Sequence, residues 1–294
     1  MNLDIFAIAV GVAILAIQGA RLILDTTNRS RLPRSFDIAV LGEPQVGKTT
    51  FITSLFYHIF HSNLSKDLIV RGEATIDKVN EDILLLNTGR PPSPTKSIDV
   101  FTYRAEYTIP KTALFNDVTY KIQIGDYPGE YSEELTEAAH SSIIGSKFFD
   151  WTYNADMIIY VVDAHKLAMD NEYCEHIVQF IRSTWQHIND RIRDRDSKKT
   201  PSARIIITKA DILYKMAILE QYKDAADRSI VYLRESDNAK VDFGLKRRIN
   251  KASDFLSLQT DDFLSIITSH YLQNSESTPI NMHDIALSIL PKRF

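Results

Sequence analysis

From Phe36 onward the chain alternates between short, nearly continuous apolar runs and longer stretches with apolar residues every three or four positions. The run FDIAVLG (36–42) predicts a buried strand ending in a glycine loop, and Thr49–Phe60 carries the stripe of an amphipathic helix. A longer mixed stretch, 61–97, contains a predicted helix over Thr75–Leu86 and ends in the loop NTGRPPSPT. Strands at Asp99–Ile109 and Val118–Ile124 flank a polar Asn-Asp turn, the pattern of a hairpin. A strand ADMIIYVVDA, a long helix from about Asn171 to Arg193, a strand ARIIIT and helices through roughly 212–235 follow. The stretch 236–262 is charged and reads as less regular, and a strand FLSIITS with a helix near Met282–Leu290 closes the pattern. Strands apolar along their whole length must be covered on both faces. The expected fold is therefore α/β, a three-layer α/β/α arrangement. Its mostly parallel sheet would have about six strands, one of them an antiparallel edge strand from the hairpin.

The amino terminus departs from this alternation. Ile5–Ala20 is sixteen residues without a charge. Continued past Arg21 to Leu24, it makes about 20 residues, or roughly 30 Å of helix, enough to cross a bilayer if Arg21 snorkels. A cleaved signal peptide would need a basic start, and only Asp4 carries side-chain charge ahead of the run. A helix buried in the globular fold is the alternative, whereas a surface-lying one would need a polar face, which the segment lacks. Arg21, Arg29, Arg31 and Arg34 all follow it, so the positive-inside rule places the rest of the chain in the cytoplasm, at an inner or plasma membrane if the source is bacterial. The expected organisation is a transmembrane anchor (1–24), a polar linker (25–35) and one large domain (36–294).

Composition removes several alternatives. With 44% hydrophobic and 24% charged residues the chain can bury a core and is not disordered. A net charge of −4 offers no electrostatic case for nucleic acid as a partner. The single cysteine, Cys174, lies in an apolar-periodic run and reads as a small core residue; an internal disulfide is impossible and a thiolate metal cluster does not fit. The histidines show no ligand spacing, so no zinc is expected. His165 reads as a loop or cap residue, and Lys246-Arg247-Arg248 as a solvated helix face.

The strongest chemical signal is Gly42-Glu43-Pro44-Gln45-Val46-Gly47-Lys48-Thr49, which fits G-x-x-x-x-G-K-[ST] between a strand and a helix. Glycines let the backbone curl so that successive N–H groups face phosphate oxygens, and the following helix, entered through Thr49 and Thr50, points its positive end the same way. Lys48 would reach the β- and γ-phosphates and Thr49 would bind Mg²⁺. Pro44 takes one N–H from the loop. A second segment, IQIGDYPGE (122–130), ends an apolar strand in Asp126, placed to hold Mg²⁺ through water. Gly129 follows three residues later, where its N–H would sense a γ-phosphate. A third, IIITKAD (205–211), ends another strand in Thr208-Lys209-Ala210-Asp211. The Asp211 carboxylate can accept hydrogen bonds from N1–H and the 2-amino group of guanine, an arrangement adenine does not offer, and the Lys209 stem can lie along the base.

In this order the three segments resemble the P-loop, the D-x-x-G switch and the [NT]-K-x-D guanine motif of translation-factor-like (TRAFAC) GTPases, a likeness covering roughly 36–294. Asp163 adds a likeness to Ras-like proteins, and the base-contacting loop of the family would fall at Thr268-Ser269-His270, with Ser269 beside the base, where the match is poor. The resemblance implies GTP/GDP and Mg²⁺ as ligands. It also implies a switch threonine, for which Thr95 fits better than Thr102, and Arg90 as an internal arginine finger against the simpler reading of a solvated loop residue. The long insert before Thr95 and the D-x-x-G-E sequence are similar to bacterial double-GTPase-like families of multi-gene conflict systems. The layout of an anchor and one GTPase domain is similar to the beta subunit of the signal-recognition-particle receptor. Glu130 stands where Ras-like enzymes carry glutamine and translation factors histidine. A carboxylate there is repelled by the γ-phosphate, which implies slow intrinsic hydrolysis. The expected function is a membrane-anchored GTPase switch acting on a protein partner. An idle GTP-binding subunit is the alternative, and an ATPase or nucleotide kinase is disfavoured by Asp211.

Overall fold

A computed structural model describes residues 33–62, 64, 67–88, 90–93, 101–110, 117–126, 147–194, 200–213, 244–268 and 281–291. Among these residues seven strands form one sheet: β1 (Arg34–Leu41), β2 (Leu68–Arg71), β3 (Phe101–Ile109), β4 (Val118–Asp126), β5 (Met157–Asp163), β6 (Ser202–Thr208) and β7 (Phe263–Ile267), in the order β2-β3-β4-β1-β5-β6-β7. The helices named below are α1 (Lys48–His61), α2 (Glu73–Asn87), α3 (Lys147–Asn154), α4 (Ala164–Met169), α5 (Asn171–Asp194), α6 (Asn250–Gln259) and α7 (Met282–Ile289).

The alternation of side chains along each strand builds two cores. Ala39, Leu41, Ile158, Tyr160, Val162, Ala203, Ile205 and Ile207 face a cluster that includes Ile177, Ile181, Trp185 and Ile188 of α5 and Leu256 of α6. Their neighbours Ile38, Val40, Met157, Ile159, Val161 and Ile206 face the other way, onto Ile52, Leu55 and Phe56 of α1 and Ile285 and Ile289 of α7. A strand sandwiched between two cores has no polar face, which is why these strands read as continuous apolar runs.

Strands β4, β1, β5, β6 and β7 run parallel, and β3 pairs antiparallel with β4, in the hairpin the sequence predicts. The strand count rises from six to seven because β2 adds antiparallel to the outside of β3. Its four residues, LIVR, were too short and too polar at their flanks to stand out from the surrounding stretch. The stretch 236–262 is corrected in part: residues 244–248 are helical and α6 follows. Its apolar residues Leu245, Ile249, Ala252 and Leu256 recur at helical spacing and are buried, but charged neighbours mask the period. Cys174 is half-buried rather than buried, its thiol donating to the Arg248 carbonyl at 3.1 Å. Among the described residues no helix is long and apolar enough to cross a membrane, and the candidate anchor 1–24 lies outside them.

Candidate nucleotide site

The described parts of the three motif segments meet at the carboxyl ends of four adjacent strands, β4, β1, β5 and β6, where ligand sites of open parallel sheets form. Between β1 and α1 the loop 42–47 turns sharply. At Gly42 an added Cβ would sit 2.6 Å from the Val161 carbonyl oxygen and 3.1 Å from a Val46 methyl, so only glycine lets the loop pass β5 this closely. Gly47 has φ 94° and sits at the N-terminal boundary of α1, where its carbonyl accepts from the Phe51 N–H at 2.8 Å. Gly42→Ala is expected to push β5 and the loop apart. The cost is about 1–3 kcal/mol, read as a drop in melting temperature accompanied by weaker phosphate binding.

The loop is held from three sides. Lys48, nearly buried, donates its ammonium to the carbonyls of Gly42 (2.7 Å) and Glu43 (2.8 Å). The Thr208 hydroxyl donates to the Val46 carbonyl (2.6 Å) and sits 3.1 Å from that of Val162. Lys209 donates to the Gln45 carbonyl (2.7 Å) and to Oδ2 of Asp163 (2.6 Å). Gln45 (φ 62°) and Lys209 (φ 60°) are two of the three non-glycine residues with left-handed backbone among those described. Such strain is kept where surrounding contacts over-determine it. Here it turns the Gln45 carbonyl and the lysine that binds it toward each other. Thr208 and Lys209 thus brace the phosphate loop. The lysine ammonium is anchored at the loop, which leaves only the stem to lie against a base.

Asp126 ends β4 with 1% exposure, and its Oδ2 accepts from the Thr49 hydroxyl at 2.9 Å. A hydroxyl and a carboxylate so placed are hard oxygen donors of the kind Mg²⁺ takes. Asp163, in register with Thr208 across β5 and β6, caps α4 by accepting from the N–H groups of His165 (2.9 Å) and Lys166 (3.2 Å). The cap is thus Asp163, and His165, expected as a loop or cap residue, lies instead in the first turn of α4 and contributes its backbone N–H. The Asp163 N–H itself donates to the Tyr173 hydroxyl at 3.2 Å. Burial, with help from the Glu43 and Asp163 carboxylates, pushes that hydroxyl well above the ordinary tyrosine range and keeps it neutral.

Glu43 turns its carboxylate away from the loop's open side. It is 8% exposed, with Oε1 2.8 Å from Nδ1 of His176 on α5 and Oε2 3.9 Å from Nζ of Lys166 on α4. The Glu43–His176 contact spans 133 residues of sequence and no local pattern announces it. Of the remaining candidates, Pro44 sits in the loop's turn and Thr50 in the first turn of α1. Asp211 lies half-buried in a helical turn that opens at Ala210, directly after Lys209. Arg90 is exposed on the loop after α2. Thr95, Gly129, Glu130 and Ser269 lie outside the described residues.

The assembled elements can present loop N–H groups, a helix N-terminus and an ammonium to an anion, with two oxygen donors for a hard cation beside it. No curated protein matches the sequence. The Double-GTPase 2 family matches residues 37–255, a stretch that runs from β1 through the loop, Asp126 and the Thr208–Asp211 segment into α6. The chain belongs to the Double-GTPase 2 family and is a P-loop GTPase by descent.

Proposed function

We propose that the chain binds Mg²⁺-GTP and hydrolyses it slowly to GDP, acting as a switch for a protein partner at the cytoplasmic face of a membrane. The observation that carries this reading is the bond from Lys209 to the Gln45 carbonyl, which ties the base-recognition segment to the phosphate loop. A base gripped at Asp211 and phosphates gripped at 42–49 would then be held at one spacing, whereas two unrelated turns would not need that brace.

In this reading the loop N–H groups and Lys48 bind the phosphates, Asp211 accepts the two guanine N–H groups and the Lys209 stem lies along the base. Thr49 and Asp126 are the residues that would hold Mg²⁺, which supplies charge neutralisation at the β- and γ-phosphates. Thr95 and Gly129 would follow the γ-phosphate and release after its loss, and Glu130 would orient the attacking water poorly. Family membership supports the guanine nucleotide. The apolar run Ile5–Ala20 with arginines on one flank supports the anchor.

The test is calorimetric titration of the full chain in detergent with GTP, GDP and ATP in Mg²⁺, followed by phosphate release. Guanine-selective binding is expected, with Asp211→Asn reducing the preference over adenine by about tenfold or more through two lost charge-assisted bonds. Slow phosphate release that Glu130→Gln accelerates supports the switch. Binding without release selects the idle GTP-holding subunit. Equal affinity for ATP overturns the guanine reading.

A further inference from the structure

We infer that nucleotide affinity in this protein depends on a clamp behind the phosphate loop, in which the His176 ring and the Lys166 ammonium hold the Glu43 carboxylate. The inference rests on the reading that the loop holds nucleotide phosphates, and it assigns His176 as a positioning residue for that site.

A carboxylate in the second position of a phosphate loop is electrostatically costly. The loop works by concentrating positive potential, and an uncompensated negative charge one residue from its turn would repel the ligand. Burial makes this worse, because Glu43 at 8% exposure has little water to screen it. The structure answers with two basic side chains from a different part of the chain. His176 from the second turn of α5 lies 2.8 Å from Oε1, and Lys166 from α4 lies 3.9 Å from Oε2. Lys166 also lies 5.4 Å from the centre of the Tyr173 ring, a contact that holds its ammonium on the Glu43 side of α4.

The geometry is asymmetric, and that makes the idea testable. Glu43 is enclosed, whereas the side chains of His176 and Lys166 are 55% and 47% exposed. Removing a basic partner therefore leaves a buried carboxylate with its negative charge turned loose on the loop. Removing Glu43 leaves only two basic groups that water can solvate. A purely structural tether between the loop and α5 would behave differently, since cutting it from either end would have the same effect.

The experiment is a titration of the full chain with GTP and with GDP in Mg²⁺ for the parent, His176→Ala, His176→Gln, Glu43→Ala and the double variant Glu43→Ala/His176→Ala. Thermal melts check folding. His176→Ala is expected to weaken both nucleotides by about tenfold. His176→Gln keeps an N–H donor for Oε1 and is expected to lose about threefold or less. Glu43→Ala and the double variant are expected to bind alike, and both more tightly than His176→Ala, because in neither does a buried charge remain for His176 to offset. Lys166→Glu, an exposed change, serves as an independent probe and is expected to weaken binding by at least as much as His176→Ala. A double variant as weak as His176→Ala would overturn the clamp, as would a His176→Ala variant that binds like the parent. Failure of the parent itself to bind GTP would instead remove the nucleotide reading on which the clamp rests.

Discussion

Lys48→Ala is expected to lower the affinity of the full chain for GTP by about a hundredfold or more, the largest functional effect of any single change in the loop. A lysine at this position supplies a point charge to two phosphate groups, and charge-assisted bonds of that kind contribute about 1.5–3 kcal/mol each. In the structure its ammonium is folded back on the carbonyls of Gly42 and Glu43 at 2.7 and 2.8 Å. Those carbonyls hold the side chain nearly buried within the loop, so it has only to exchange acceptors when phosphate arrives. The same bonds mean that the variant also loses some loop support, about 1 kcal/mol per bond. Calorimetric titration with GTP and GDP, paired with thermal melts, separates the two contributions. A variant that melts slightly lower and no longer binds supports the assignment. One that binds GTP like the parent would show that the phosphates sit elsewhere.

The largest effect on stability is expected at Arg204, well away from the nucleotide site. This arginine lies on β6 with 1% exposure, in a strand whose neighbours are all apolar. Its guanidinium donates to the carbonyls of Ala203 (2.8 Å), Asp262 (2.7 Å) and Ser288 (2.8 Å) and to Oδ1 of Asp262 (2.9 Å). It therefore joins β6, the turn entering β7 and the end of α7. Burial pulls the guanidinium below its ordinary pKa and the Asp262 carboxylate pulls it back up, but arginine is still charged at any pH the fold survives. Arg204→Ala strips donors from three carbonyls and empties the volume of a long side chain. About 3 kcal/mol is the expected loss, discounted because Asp262 is half-exposed and can turn to water. For a domain of this size that is a fall in melting temperature of roughly 6–12 °C. Differential scanning calorimetry measures it, and a fall under about 2 °C would mean that the clamp contributes little.

Element positions were legible wherever burial on both faces or a helical stripe imposed an unbroken pattern. β5, β6, α1 and α5 were expected within a residue or two of where they lie, because one side of each helix and both sides of each strand meet a core. β2 was not legible, since a four-residue strand at a sheet edge needs only Leu68 and Val70 to face inward. Nor was the helical content of 244–259, where the buried residues alternate with lysines and arginines that the outer face requires. Arg204 is the sharpest case. The pattern places it inside the strand ARIIIT, but only the carbonyls of Asp262 and Ser288, brought to it by β7 and α7, explain why burying its charge is tolerated.

For the site, the sequence by itself determined the chemical inventory: a glycine loop with Lys48 and Thr49, a carboxylate at the end of β4, and Thr208-Lys209-Ala210-Asp211 at the end of β6. These motifs are readable because each is local, with a few residue types at fixed spacing set by how backbone turns approach a ligand. What only the tertiary structure decided is how the pieces hold one another. Thr49 meets Asp126 across 77 residues, Lys209 meets Gln45 across 164, and His176 meets Glu43 across 133. Such contacts carry no signature along the chain, because they depend on which strands become neighbours in the sheet. That order is set by the summed burial of two cores rather than by any one segment.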